Sequence, residues 1–226
     1  ARRGFGEVIW AEPGPPSPDI EQLAREFPGV LFLLAQQGCT AGELVNIGIS
    51  EARSQLVFCF WSDLRPLAFS REALGAVEKL GAACVVPAAR NARREVIPTW
   101  QSPGGRQRRM VAKFRPARED GEKCLFPFDY CGVYGRERFQ QLGGFEPGIA
   151  NPFWLMLDFG FRAWLWGERI VGTTRLAVQS RISLTGIRVK DLEPRRDYVY
   201  VTDVVEAMVK ALTARSGMSV FNIGSG

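Results

Sequence analysis

Apolar residues in this chain follow two rhythms, short unbroken runs and helical stripes, and the two alternate along its length. Val30-Leu31-Phe32-Leu33-Leu34, Leu56-Val57-Phe58-Cys59-Phe60-Trp61 and Ala82-Ala83-Cys84-Val85-Val86 are runs of five or six residues. Runs that short, with β-branched or aromatic members, read as strands buried on both faces. Gly6 to Ala11 reads as a shorter first strand, followed by the proline-rich turn Glu12-Pro-Gly-Pro-Pro-Ser-Pro-Asp19, through which no helix can run. Stripes at helical spacing separate the runs. Ile20, Leu23, Ala24 and Phe27 follow Asp19 or Ser17 as a cap and close at Pro28-Gly29. Val45, Ile47, Ile49 and Ala52 share a face after a glycine-bearing loop over residues 36–42. Leu74, Val77 and Leu80 follow Ser70 as a cap and stop at Gly81. Asn151-Pro152 opens a last helix through Trp166, ended by Gly167. Strand, turn, helix, strand in that order predicts an α/β sandwich with a mainly parallel sheet over residues 1 to about 180.

Residues 88–123 break both rhythms and carry glycine, proline and many arginines. A stretch of that length inside one domain is a functional loop or a disordered one.

Composition narrows the chemistry. With 46% hydrophobic and 23% charged residues the chain is a folded soluble protein. Its longest apolar runs fall far short of the ~20 residues that cross a membrane. No leader is visible, and a start at Ala1 reads as a fragment. The net charge of +5 gathers in Arg90–Arg94 and Arg106–Arg109. Such clusters suit phosphate or nucleic acid, but a solvated loop is the commoner reason for them, and no nucleic-acid partner is expected. Five cysteines without a Cys-x-x-Cys pair read as reduced thiols of a cytoplasmic protein. The absence of histidine excludes Ser-His-Asp and Cys-His devices and the usual zinc sites. Acid and base work falls to carboxylates, lysine, tyrosine or cysteine.

The central stretch, Asn46-Ile47-Gly48-Ile49, then the apolar run, then Trp61-Ser62-Asp63, resembles the family 2 glycosyltransferases of the glycosyltransferase A (GT-A) fold. That family has Asn-x-Gly-Ile, a hydrophobic strand and an Asp-x-Asp turn. Trp61 replaces the first aspartate and cannot bind a cation. The resemblance makes Asp63 the metal ligand, placed at the carboxyl end of a buried parallel strand, where open α/β sheets hold ligands. The plainer reading of Asp63 is a turn or capping aspartate. Glu12 matches the acidic residue that holds the base or ribose of a nucleotide-sugar, and Asn46 belongs to the same nucleotide-sugar-binding set. Phe126 to Glu146, ending in Gly143-Gly144-Phe145-Glu146, resembles the family's second block. In the last helix Asp158, Arg162 and Gly167 keep the spacing of the family's Glu-Asp-x-Asp/Glu-Leu-x-x-Arg motif. Leu155 and Met156 stand where its catalytic pair would be, which leaves Asp158 as candidate base. An i,i+4 ion pair with Arg162 is the alternative for Asp158. Residues 88–123 then correspond to a lid or acceptor loop, and Arg169 to Val178 to the closing strand pair.

From about residue 187 the character changes. Arg196-Asp197-Tyr198-Val199-Tyr200-Val201-Thr202-Asp203-Val204 precedes a stripe of Val204, Val205, Met208, Val209 and Leu212, and then Phe221-Asn222-Ile223-Gly224-Ser225. This tail resembles the late part of extended short-chain dehydrogenase/reductases that act as nucleotide-sugar epimerases and dehydratases. The resemblance turns Arg196 toward the donor diphosphate. That family's Gly-x-x-Gly-x-x-Gly turn and Tyr-x-x-x-Lys pair are missing, so no NAD is expected from this chain alone.

Two segments are therefore expected, 1–183 glycosyltransferase-like and 184–226 epimerase-like. The implied activity is transfer of a sugar from a nucleotide-diphosphate donor to a glycan, lipid or protein acceptor, with weakly held Mn²⁺ or Mg²⁺. Glu12, Asp63 and Asp158 would face one cleft, lined also by Trp61, Leu155 and Met156. The rival readings are a non-catalytic binding module of the same fold, a pseudoenzyme, and a truncated fusion with a nucleotide-sugar epimerase.

Overall fold

The computed structural model describes residues 6–180 except 68–69 and 107–108. The tail, with Arg196 and the Val204–Leu212 stripe, lies outside the described residues.

β1 (Val8–Pro13) and β2 (Val30–Ala35) form a two-stranded parallel sheet, joined through α1 (Ile20–Glu26). α2 (Ala41–Glu51) starts earlier than the apolar stripe implied. The reason is a capping box: Thr40 Oγ1 accepts from the Glu43 amide while the Glu43 carboxylate accepts from the Thr40 amide at 2.8 Å. β3 (Leu56–Cys59) follows, then β4 (Leu64–Leu67), and α3 (Arg71–Leu80), capped by the Ser70 hydroxyl and stopped by Gly81 at φ 55°. β5 (Cys84–Arg90) is next, with a short β6 (Val96–Ile97), then β7 (Trp100–Arg106) and β8 (Arg109–Arg115). β9 (Gly132–Gly135), α4 (Arg136–Gln141), α5 (Pro152–Leu165) and β10 (Ile170–Ser180) complete the described chain.

The main sheet runs β3-β9-β5-β10-β4, with β6 on β5. The α/β class is as expected, but this sheet is mixed. Only β5 and β10 pair in parallel, whereas β9 runs antiparallel to both β3 and β5 and β4 antiparallel to β10. The apolar run at 56–61 is thus an edge strand of four residues and not a central parallel one. Inserting β9 has a useful consequence. Two antiparallel steps restore direction, so β3, β5 and β10 all point the same way and their carboxyl ends share one edge.

Side chains alternate across the sheet as a strand period of two requires. Val57, Cys59, Cys84, Val86 and Tyr134 belong to one core with Ile49, Phe139, Leu155 and Phe159 from the helices. Leu56, Phe58, Val85, Val133 and Val171 belong to a second core with Ala73 and Val77 of α3. The sheet is buried on both faces. α5 approaches so closely that a Cβ on Gly160 would lie 1.9 Å from the Leu125 carbonyl oxygen, and only glycine fits there.

The aperiodic stretch 88–123 includes an antiparallel hairpin, β7 on β8. Its root is fixed by Trp100, fully buried over Gly172 of β10, where any Cβ would stand 2.4 Å from the indole. Beyond that root Pro103, Val111, Lys113 and Phe114 face solvent, so no alternating pattern marks it in the sequence. The segment expected as a closing strand pair, Arg169 to Val178, is one strand with a bulge between Thr173 and Ala177. Asp120 fills that bulge, accepting from the Thr174 amide at 2.7 Å and from Arg175 Nε at 2.7 Å.

Candidate functional site

The shared carboxyl edge gathers two of the candidate residues. Past the end of β3 the chain turns at Trp61–Leu64, closed by the Leu64 amide on the Trp61 carbonyl at 3.0 Å, and Asp63 stands exposed on that turn. Beside it is Asp129, which the sequence reading did not single out. Asp129 and Tyr130 both have positive φ, 49° and 58°, just before β9. Left-handed backbone at two successive non-glycine residues costs roughly 1–3 kcal/mol each and persists only where its surroundings enforce it. Here they do. The Trp61 indole donates to the Asp129 carbonyl at 2.9 Å, the Tyr134 hydroxyl to the Tyr130 carbonyl at 2.8 Å, and the Tyr130 ring stands edge-on to Phe145 at 5.0 Å.

The strained turn presents a carboxylate at the surface, shielded on one side by its neighbours. Burial raises the Asp129 carboxyl above its ordinary value, the Asp63 charge adds to this, and the Trp61 N–H opposes it. The Cys131 thiol is pushed up first by burial and then by the charges around it, Asp129 and Asp63 among them, so both carboxylates act on one spot. Alongside lies a recess of about 160 Å³ whose walls include Leu64, Val86, Arg90, Ile97, Asp129 and Val178. It adjoins an open groove of about 590 Å³ beside Arg65, Ala92 and Gln179, within the size range of small-molecule sites.

The other expected site residues have different partners. Asn46 is held by Phe145: its Nδ2 donates to the Phe145 carbonyl at 2.7 Å and its Oδ1 accepts from the Phe145 amide at 2.8 Å. Asp158 accepts from Arg162 Nε at 2.8 Å, and the same guanidinium donates to the carbonyls of Leu142 and Gly144. Asn46 and the Asp158–Arg162 pair therefore grip the Gly143-Gly144-Phe145 turn from two helices, α2 and α5. Gly144, at φ 66°, is obligatory there, since its Cβ would lie 2.6 Å from Asn46 Oδ1. Glu12, at the carboxyl end of β1, accepts from the Ser17 amide at 2.8 Å and from Trp10 Nε1 at 3.2 Å. The Ser17 amide is the main cause of its lowered pKa. Leu155 and Met156, expected to line the cleft, are 2% and 7% exposed and sit in the first core. Arg196 lies outside the described residues.

Comparison with solved structures now places the fold. GalNAc-T7 in complex with UDP, GalNAc and Mn²⁺ superposes with a TM-score of 0.64 at 15% identity, over 80% of this chain. TarS of S. aureus superposes with a TM-score of 0.55 at 12% identity over 78% of the chain, and its 1–349 fragment with 0.53 at 11% over 77%. The fold is similar to that of GT-A glycosyltransferases. This chain spans 39%, 31% and 50% of the lengths of those three structures. A family model, the NAD dependent epimerase/dehydratase family, matches residues 170–224, less than half of the chain. That match begins inside β10, which is an integral strand of the main sheet. No curated protein matches the sequence. Among the described residues no helix is long and apolar enough to cross a membrane.

The residues at the edge can be tested against a divalent cation. Among the described residues no cluster of three His, Cys, Asp or Glu could hold a metal. Two carboxylates remain, Asp63 and Asp129. Mg²⁺-type sites commonly use one or two carboxylates together with substrate phosphates. Shielding from solvent is the main reason the Asp129 pKa is raised, with the Asp63 charge a smaller contribution that a nearby cation would offset. Two carboxylates are too few to hold such a cation alone and would need a diphosphate to complete its ligands.

Proposed function

We propose that this edge binds a nucleotide-diphosphate sugar and that the chain is glycosyltransferase-like, passing the sugar to a glycan, lipid or protein acceptor. The observation that carries the reading is two carboxylates, Asp63 and Asp129, close enough to feel each other's charge at the carboxyl edge of β3, β5 and β10, in a fold like that of GT-A transferases. Mn²⁺ or Mg²⁺ would be held by Asp63 and Asp129 and, when bound, would screen the charge of the leaving diphosphate. The apolar recess beside them suits the flat, weakly polar part of the donor, and Glu12 the ribose or base.

The base is the weak point of the transferase reading. Asp158 is tied through Oδ2 to Arg162, and Leu155 and Met156 cannot accept a proton. Those three residues favour a second reading, a donor-binding module without turnover. The family match at 170–224 supports the epimerase-like reading of the tail, as part of a fusion. Incubating the full chain with a panel of UDP- and GDP-sugars and Mn²⁺, and measuring released nucleoside diphosphate, separates the readings. Release stimulated by an acceptor supports the transferase, binding without release supports the module, and no binding to any donor overturns both.

A further inference from the structure

Apart from the Asp158–Arg162 pair, α5 is apolar on its outer as well as its inner face, an unusual state for a helix at a domain surface. Its inner face, Leu155, Met156, Phe159, Gly160 and Ala163, is buried. Its outer face is bare. Trp154 is 56% exposed, Phe161 57%, Trp164 71%, Leu165 58%, and Trp166 at the helix end 75%. Trp154, Phe161 and Leu165 fall at i, i+7 and i+11, so they form one stripe, and Phe161 and Trp164 already stack at 6.4 Å. Asp158 and Arg162 beside the stripe are engaged with each other.

We propose that this outer face is the twofold interface of a homodimer, with α5 packing against α5 of a second copy. Area supports this. At the ~150–250 Å² an aromatic side chain can bury, the exposed fractions of Trp154, Phe161, Trp164 and Trp166 amount to roughly 390–650 Å² before Leu165 is added. The largest apolar patch on a monomer is about 300–600 Å², whereas each partner of a stable interface contributes about 600–1,000 Å². A single helix stripe is also self-complementary, as an isologous contact requires. Composition points the same way: tryptophan and phenylalanine concentrate in interface cores, and charged residues are depleted there. A membrane-surface helix would instead carry lysine and arginine beside its apolar face. Among the described residues Arg162 is committed to Asp158, Arg138 to Glu168 at 3.5 Å, and Arg169 to the Leu80 carbonyl at 2.7 Å.

Sedimentation equilibrium of the full chain, over a concentration series into tens of micromolar, tests the proposal. The expected mass is twice the 25.1 kDa of one chain. The double variant Trp164→Glu, Leu165→Glu should weaken dimerisation about 30-fold or more, the scale of a lost hot spot, with unchanged far-UV circular dichroism. Should that variant lose its helical signal, Phe161→Glu alone decides, by the same loss of dimer in a folded chain. A wild-type monomer overturns the proposal, whether its tryptophans prove shielded from quencher by the tail or drive binding to anionic vesicles. A dimer that both variants leave intact overturns it equally.

Discussion

Replacing Asn46 with alanine should destabilise the protein far more than a half-exposed polar residue ordinarily does. Its amide makes two hydrogen bonds to one residue, 2.7 Å to the Phe145 carbonyl and 2.8 Å from the Phe145 amide. Phe145 is 1% exposed and sits among Tyr130, Tyr134, Phe139 and Phe159, with ring centroids 4.9–6.3 Å away. Water cannot easily replace the lost amide there. An orphaned buried polar group costs about 1–3 kcal/mol, and alanine orphans two in a partly buried setting, so a loss of about 2–4 kcal/mol is expected. In urea, with a slope of about 2 kcal/mol/M for a domain of this size, the midpoint falls by roughly 1–2 M. Asn46→Asp keeps the acceptor but sets a charge against the Phe145 carbonyl, and should be no better than alanine. Gly144→Ala should act on the same grip, because its Cβ would displace Asn46, so the double variant should lose less than the two single losses combined. A midpoint for Asn46→Ala within about 0.3 M of the wild type would refute the reasoning.

Asp129 gives a prediction with a sign in pH. Its folded pKa is raised, so its contribution to stability is present below the ordinary aspartate value and is lost as pH rises through the folded value. Asp129→Asn should therefore melt higher than the wild type at neutral pH, with the gap closing below the ordinary aspartate range; a gap that stays constant on acidification contradicts the assignment. Cysteine labelling reads thiol protonation: burial pushes the Cys59 and Cys124 thiols up to about 12 and those of Cys84 and Cys131 well up too, and of the two partly covered thiols, Cys39 and Cys59, only Cys59 is pushed that far. Native protein should thus react with a thiol reagent at mildly alkaline pH at Cys39 alone, and at all five cysteines in denaturant; fast native labelling of Cys84 or Cys131 would show that the first core is not closed.

The elements with strong local signals were legible in the sequence. Ser70 and Gly81 bracket α3, Asn151-Pro152 opens α5, and the runs at 30–34 and 82–86 lie in or overlap β2 and β5. Strand pairing was not legible, because β9 is a four-residue segment, Gly-Val-Tyr-Gly, whose place between β3 and β5 depends on partners far away in sequence. The hairpin β7–β8 escaped notice since Pro103, Gly104 and Gly105 break any strand pattern and the order comes from Trp100 seated on Gly172. Asp63 stands out by its motif as a candidate, whereas Asp129 does not. What sets it apart is a left-handed turn that Trp61 and Tyr134 hold in place, and φ cannot be read from Phe-Asp-Tyr-Cys. The i,i+4 alternative for Asp158 and Arg162 is the geometry observed.

The central claim is that Asp63 and Asp129 together hold a cation and the donor diphosphate. Calorimetric titration of the full chain with UDP and UDP-sugars, with and without Mn²⁺, tests it most directly when repeated on Asp63→Ala and Asp129→Asn. The account predicts binding that requires Mn²⁺, disappears in Asp63→Ala and weakens in Asp129→Asn. Donor affinity that is the same without the cation, or unchanged in Asp63→Ala, would contradict it.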